Sequence, residues 1–303
     1  MKRLFLLLAM VGLFATACQK SAQDGTDGDG GAGSGNTPGT GEKKLVKIVC
    51  SYEGDEYHPD TNTYRYDNQG RLVESITEVW DYDDYESRSS LSRKHLSIRS
   101  TSLGRRRTIS RGNSRGIQKY TSTTQYEWSD STIKVIEQDG DYTSSSTFTL
   151  NNGLVQSCSV VSEYDTFTEN YYYDGGRLVR IVNNQDYGTY CTWDGDKLTS
   201  VKWDGESDVI SLTYNGTCKK GYNPLIEWFV GIYNDDLLVA NPEVCGVQTK
   251  QLFASYSHLD VEDVEHDVTE HTFSYKLDKD GYISKVTMRD SEGYSTVCAL
   301  TWE

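Results

Sequence analysis

The chain has 303 residues, with 45 acidic and 30 basic side chains and a formal net charge of -15 at pH 7. Such an acidic chain is a poor partner for nucleic acid, because phosphate binding requires clustered Lys and Arg side chains. Its length is ordinary for a single all-β domain, and the helical periodicity that two α/β domains would show is nearly absent.

The first 17 residues have the features of a signal peptide. Lys2 and Arg3 precede an apolar run over residues 4–14, and small residues at 15–17 lead directly to Cys18. The apolar run is shorter than the roughly 20 residues that a helix needs to cross a bilayer. The segment resembles a bacterial lipoprotein signal, which implies that Cys18 is lipidated. The predicted location is therefore the outer membrane, reached through this anchor.

Residues 18–43 follow as a stretch rich in Gly, Asp, Ser and Thr. They have almost nothing apolar to bury, and such composition is typical of a flexible tether. The sequence predicts one domain after it, over residues 44–303.

A repeat begins at residue 44. Its clearest copies are YRYDNQGRLV at residues 64–73 and YYYDGGRLVRI at residues 171–181. Weaker copies are centred on 128–129, 150–153, 193–196, 214–216 and 277–281. Each copy is a β-run, a turn rich in Asp, Asn and Gly, and a second β-run, which predicts a hairpin. Seven hairpins predict an antiparallel meander of about 14 strands.

The phase of the repeat predicts which face is buried, because side chains alternate along a strand. The position before each turn and the position two residues earlier are apolar or aromatic, as in Tyr171 and Tyr173. The residues between them predict a polar outer face: Arg65, Glu127, Thr149, Tyr172, Thr192, Thr213 and Lys276. In the returning strands Val179 and Ile181 continue the buried face, whereas the leading Leu178 has the opposite parity, which a β-bulge or a packed turn would resolve.

A polar outer face argues against a barrel embedded in lipid, whose outward residues are apolar. The expected fold is all-β, an antiparallel meander of hairpins that forms a curved sheet or a soluble barrel. One short helix is expected from Asn223 and Pro224 through residue 233, where it would plug one end of the sheet.

Residues 88–119 interrupt the repeat with ten Lys or Arg, many Ser and no acidic residue. Such a segment is typical of an irregular loop, and a basic arm for an acidic partner or a compensated change of reading frame are the alternatives.

Six cysteines remain after Cys18, and the sequence leaves open whether they pair in an exported protein or lie buried as thiols. His266, Glu270 and His271 are the candidate metal ligands. Adjacent residues of a strand point to opposite sides, so a solvated acidic loop is favoured over a metal site.

The units Tyr-Asp-Asn-Gln-Gly-Arg-Leu at 66–72 and Tyr-Asp-Gly-Gly-Arg-Leu at 173–178 resemble the YD repeats of Rhs-type proteins. With the signal and tether, the chain resembles Bacteroidota lipoproteins that contain a domain of unknown function with a porin-like antiparallel fold. The resemblance implies the fold and brings no catalytic residue.

The predicted function is a membrane-anchored binding or scaffold module. A glycan-handling enzyme and an adhesive assembly component are the alternatives. The expected partners are the membrane and a glycan or protein ligand, with no cofactor and no metal. Tyr172 is an aromatic residue in the polar register, and either a cross-strand contact or stacking on a ligand would explain it.

Overall fold

The computed structural model describes residues 42–53, 55–82, 117–140, 142–161, 166–184, 188–204, 209–230, 235–259 and 268–303. These residues form sixteen antiparallel strands. The strands are β1 (Leu45–Tyr52), β2 (Asp55–Tyr66), β3 (Leu72–Tyr82), β4 (Ile117–Trp128), β5 (Thr132–Asp139), β6 (Tyr142–Asn151), β7 (Leu154–Val161), β8 (Thr166–Asp174), β9 (Arg177–Asn183), β10 (Gly188–Asp194), β11 (Lys197–Trp203), β12 (Val209–Thr217), β13 (Gln251–Leu259), β14 (Val268–Leu277), β15 (Ile283–Arg289) and β16 (Ser295–Trp302).

Every strand pairs with its neighbours in sequence, and β1 pairs with β16 to close a barrel. The all-β antiparallel barrel expected from the hairpin repeat is thus confirmed. Six of the seven predicted hairpins are present, namely β2–β3, β4–β5, β6–β7, β8–β9, β10–β11 and β14–β15. The first and last strands add the two that close the ring. No helix among the described residues is long and apolar enough to span a membrane.

The two faces follow the predicted alternation. The residues two positions before the predicted turns are buried in six of seven repeats, at Tyr64, Tyr126, Phe148, Tyr171, Cys191 and Leu212. The residues directly before the turns are partly buried against the same core, for example Tyr66, Trp128, Tyr173 and Trp193. The intervening outward residues, including Arg65, Glu127 and Tyr172, are exposed.

A bulge explains the parity of the leading leucine. Tyr172 pairs with Arg180, but Tyr173 pairs with Leu178, so Val179 is an extra residue in β9. Leu178 is therefore fully buried and Val179 only partly buried, which corrects the expectation that Val179 belongs to the inner face. The same one-residue shift recurs in the hairpins β2–β3, β6–β7, β10–β11 and β14–β15.

The repeat also builds a ring of hydrogen bonds around the rim that carries the turns. At six places an aromatic side chain donates from its polar tip to the carbonyl of a buried residue in the strand directly before it. The pairs are Tyr66 with Leu45, Trp128 with Leu72, Tyr173 with Val155, Trp193 with Leu178, Tyr214 with Leu198, and Trp302 with Ile283. Each of these bonds joins an even-numbered strand to the strand before it, across the side that has no repeat turn.

The first hairpin shows what each residue of the motif does. The Asp67 carboxylate accepts hydrogen bonds from the backbone N–H groups of Gln69 and Arg71, which fixes the turn. Desolvation alone would raise the pKa of Asp67, but these hydrogen bonds and the Arg71 charge lower it overall. Arg71 also lies 5.8 Å from the centre of the Trp128 ring in the next hairpin.

One predicted turn is wrong. Residues 214–216 lie inside β12, where two register shifts bend its pairing with β13. The connection between these strands is residues 218–250, which contain a 3₁₀ helix (Pro224–Trp228), helix α1 (Asp235–Ala240) and a second 3₁₀ helix (Pro242–Cys245). Asn223 caps the first of these helices by accepting from the Leu225 N–H, as the sequence predicts, but the expected single helix to residue 233 is replaced by three short ones.

The connection packs its apolar residues against the core beside the turns, and Ile226, Phe229, Leu237, Leu238 and Val247 are all almost completely buried. Several hydrogen bonds fasten it to the rim. Asn241, which is itself buried, accepts from the Leu72 N–H at 2.8 Å and donates to the Gly70 carbonyl at 3.3 Å. Gly246 accepts from the Leu178 N–H at 3.2 Å. The connection therefore acts as a plug at this rim.

Replacing Asn241 by alanine is expected to destabilise the barrel by about 2 kcal/mol, because the buried Leu72 N–H would lose its acceptor. Urea denaturation followed by tryptophan fluorescence would measure the change. Asn151→Ala, at the exposed end of β6, is the matched control and should change stability by less than about 0.5 kcal/mol. Equal effects of the two substitutions would contradict the role given to Asn241.

The cysteines divide between the two possibilities that the sequence left open. Cys50 and Cys298 form a disulfide between β1 and β16, whereas Cys158, Cys191, Cys218 and Cys245 are buried thiols. Burial raises the pKa of the Cys218 thiol to about 11, which keeps it protonated and unreactive at neutral pH.

The signal peptide, Cys18 and most of the tether lie outside the described residues. So does most of the basic segment, although β4 begins at Ile117, inside the stretch assigned to it. The last tether residue, Lys43, donates from its backbone N–H to the Tyr282 hydroxyl at 2.9 Å.

Candidate functional site

Tyr172 lies on the outer surface of β8, where 49% of it is exposed. Its direct neighbour across the hairpin is Arg180 of β9, whose guanidinium carbon is 5.7 Å from the centre of the Tyr172 ring. The cross-strand contact that the sequence suggested for this residue is therefore present. The contact covers one side of the ring and leaves much of the side chain open to solvent.

Arg180 also contacts Tyr190 of β10. The guanidinium carbon is 5.1 Å from the Tyr190 ring centre, and the Tyr190 hydroxyl donates to Oδ2 of Asp204 at 2.9 Å. The hydrogen bond to Asp204 is the main reason why the pKa of Tyr190 is raised. We call Tyr172, Arg180, Tyr190 and Asp204 the tyrosine platform.

The absence of a side chain at residue 188 leaves room for the platform. A Cβ atom at Gly188 would lie 2.9 Å from Oδ2 of Asp204 and 3.2 Å from the Tyr190 ring. The glycine therefore lets the Tyr190 and Asp204 side chains pack close to the start of β10.

The platform offers chemistry suited to binding. Its two aromatic rings provide apolar faces, and Arg180 and Asp204 provide a cation and an acceptor on neighbouring strands. The Arg180 Nε is buried and has no hydrogen-bond partner among the described residues, and such donors usually bind an ordered water.

A second candidate lies at the rim, where a depression of about 500 Å³ is lined by residues of the hairpins β8–β9 and β10–β11, including Arg177 and Trp193. The polar groups there are already used within the protein. Trp193 donates from Nε1 to the Leu178 carbonyl at 2.7 Å, and Arg177 stacks 5.0 Å from the Trp193 ring centre. Arg177 also donates to the Gln248 carbonyl of the plug at 2.5 Å. These contacts make the depression part of the structural rim.

The candidate metal ligands are not brought together. Glu270 is exposed, whereas His271 is buried inside the barrel and stacked on Tyr256 with ring centres 4.4 Å apart. The opposite orientation expected for adjacent strand residues is confirmed. His266 lies outside the described residues, and no cluster of three or more metal-binding side chains occurs in the described part of the chain.

Tyr190 and Asp204 were not among the candidate site residues that the sequence suggested. Their signal was weak, because a lone Tyr and a lone Asp on neighbouring strands belong to no motif. Counting outward from the turns would have placed Tyr190 in the outer register with Thr192. It would not have placed Asp204, which follows the last residue of β11.

Comparison with known proteins supports the fold. No family model matches the sequence, and no curated protein is detectably related. The fold is similar to that of a porin-like protein from Bacteroides uniformis ATCC 8492, with a TM-score of 0.57 and 15% sequence identity over 86% of this chain and 98% of that one. A porin-like protein from Bacteroides vulgatus ATCC 8482 also matches 86% of this chain and 99% of that one, at 10% identity and a TM-score of 0.30. The porin-like antiparallel fold implied by the sequence resemblance is confirmed.

Proposed function

We propose that this chain is a lipoprotein of the outer membrane, anchored through Cys18, that acts as a binding module through the outer wall of its barrel. The observation that carries the proposal is the tyrosine platform, an exposed aromatic and charged site on a polar exterior. The signal-like sequence before Cys18 supports the anchor, and the Tyr-Asp repeat units at 66–72 and 173–178 support kinship with repeat-built surface proteins.

Two features favour the outer wall of the barrel over its interior as the binding surface. Outward residues such as Arg65, Glu127 and Thr149 are polar and exposed, which is the reverse of a barrel that faces lipid. The plug residues fill the core beside the turns, so one rim is occupied by protein. A barrel of this kind presents its exterior to partners.

The anchor predicts a specific labelling result. Radiolabelled palmitate should enter the wild-type protein and disappear in Cys18→Ala, because that thiol is the proposed acylation site. Cys218→Ser is the matched control and should keep the label, since Cys218 is buried. Labelling that survives in Cys18→Ala would refute the anchor.

The binding role can be separated from transport by measuring conductance in planar bilayers. The proposal expects no stable channel from the purified protein. Stable single-channel currents would show that the interior is a passage and would contradict the binding role proposed for the outer wall.

A further inference from the structure

A group of outward residues beside the tyrosine platform is uncharged. On β6, β7 and β8, nine outward residues form three rows of cross-strand neighbours. We call them the uncharged wall: Ser145, Val161 and Thr166; Thr147, Ser159 and Thr168; Thr149, Ser157 and Asn170. A quarter of the whole chain is charged, so a neutral surface of this size is a local departure from its composition.

The wall and the platform are continuous. Tyr172 is the next outward residue of β8 after Asn170, so the platform lies at one end of the wall. From the row of Thr166 to Tyr172 the distance along the strand is about 20 Å, and three strands make the wall about 10 Å wide. The combined surface is long and narrow.

Seven of the nine wall residues are Ser or Thr, whose hydroxyls both donate and accept hydrogen bonds. Their short side chains have little rotamer freedom to lose on binding. Such a surface is complementary to a ligand that is itself rich in hydroxyl groups. The net charge of -15 repels polyanions, and the wall has no charge to attract a charged ligand.

A protein partner fits this surface less well. Specific protein interfaces have an apolar core of well-buried side chains. The exposed large hydrophobic residues here are Val161 and Tyr172, at opposite ends of the wall, with hydroxyl side chains between them. A centre of small polar residues provides no such core.

The platform supplies an exposed aromatic face, which the wall lacks. The exposed face of Tyr172 can pack against the C–H face of a sugar ring, as aromatic faces pack against apolar surfaces. Stacking at one end and hydroxyl contacts along the length together suit a chain of sugars.

We propose that the tyrosine platform and the uncharged wall bind a strand of neutral polysaccharide. The inference rests on the proposed function, because it names the ligand class of the same outer-wall site. It assigns stacking to Tyr172 and hydroxyl contacts to the wall.

The test uses the full-length lipoprotein purified in detergent and affinity electrophoresis in gels that contain starch, xylan, galactomannan or mixed-linkage β-glucan. Gels with heparin or polygalacturonate provide the anionic comparison. We expect at least one neutral polysaccharide to retard the protein and both polyanions to leave its mobility unchanged. Retardation by none of the four, or by polyanions alone, would overturn the ligand class.

Variants locate the site. Tyr172→Ala should weaken the apparent affinity by about tenfold, the range of a lost hot-spot contact, and Tyr172→Phe should retain it. Tyr294→Ala is the matched control, because Tyr294 is 54% exposed in the β15–β16 turn, away from the wall. Equal binding by Tyr172→Ala and wild type would refute the assignment.

A charge placed in the centre of the wall provides a second test. Ser159→Glu should abolish retardation by a neutral polysaccharide, whereas Thr301→Glu, exposed on the outer face of β16, should leave it intact. Unchanged binding by Ser159→Glu would exclude the wall from the site. Because palmitate labelling at Cys18 is measured separately, failure of the glycan tests leaves the anchor standing.

Discussion

Replacing Cys50 or Cys298 by serine is expected to lower the free energy of unfolding by about 4 to 5 kcal/mol. The disulfide joins residues 248 positions apart, which encloses almost the whole domain in one covalent loop. Loop-closure entropy rises with the logarithm of loop length, so this disulfide restricts the unfolded chain more than a local one would.

The position of the disulfide adds to its effect. Every other strand pair of the barrel joins neighbours in sequence, whereas β1 and β16 come from opposite ends of the domain. Cys50 faces Cys298 directly across this seam, and hydrogen bonds between Lys44 and Glu303 extend the pairing to its end. Without the disulfide, the hydrogen-bonded pairing of β1 with β16 alone must offset the entropy lost when the two ends of the domain come together.

Urea denaturation with and without a reductant measures this contribution. The wild-type midpoint should fall in the presence of reductant, and Cys50→Ser should show the lowered midpoint in both conditions. Reduction acts on no other disulfide in the described residues, so Cys50→Ser serves as its own control. A wild-type midpoint that does not respond to complete reduction would contradict the prediction.

This pairing illustrates what the sequence could not reveal. Six cysteines gave no indication that residues 50 and 298 meet, because their contact depends on closure of the ring. Closure in turn depends on the first and last strands, which lie outside the predicted hairpins. The hairpin repeat predicted six hairpins between β2 and β15 correctly and left the two seam strands uncounted.

The inner and outer faces were predictable because the repeat keeps its phase. Tyr171 and Tyr172 differ by one position and have opposite environments, one buried and the other exposed. The bulge at Val179 was one of two alternatives, because the parity of Leu178 is explained equally well by a β-bulge or by a packed turn.

The plug and the platform were harder to predict. The Asn223 cap and the following proline identified the start of the first 3₁₀ helix, but helix α1 has only six residues and shows too little periodicity to recognise. The platform depends on strands brought side by side by register, and the irregular residue Asp204 carries no register signal.

Trp193→Ala is expected to destabilise the barrel by about 3 to 5 kcal/mol. The substitution removes a half-buried aromatic ring from the core and leaves a cavity. It also removes the Nε1 donor of the Leu178 carbonyl and the ring that Arg177 covers, so the hairpins β8–β9 and β10–β11 lose their link at the rim. Trp193→Phe keeps most of the ring and should cost about 1 to 2 kcal/mol, which separates the hydrogen bond from the packing.

Tyr172→Ala is the matched comparison, because it removes an aromatic ring from the neighbouring hairpin but from the outer face. Its stability should change by no more than about 0.5 kcal/mol, since about half of the side chain is already in water and its contact with Arg180 lies at the surface. Urea melts of both variants compare the two faces directly. A larger loss of stability for Tyr172→Ala than for Trp193→Ala would mean that the outward Tyr172 ring contributes more to packing than the Trp193 ring. The rim contacts would then not explain the aromatic residues before the turns. The expected stability of Tyr172→Ala also makes it a folded probe, so that any loss of polysaccharide binding by this variant is a property of the surface.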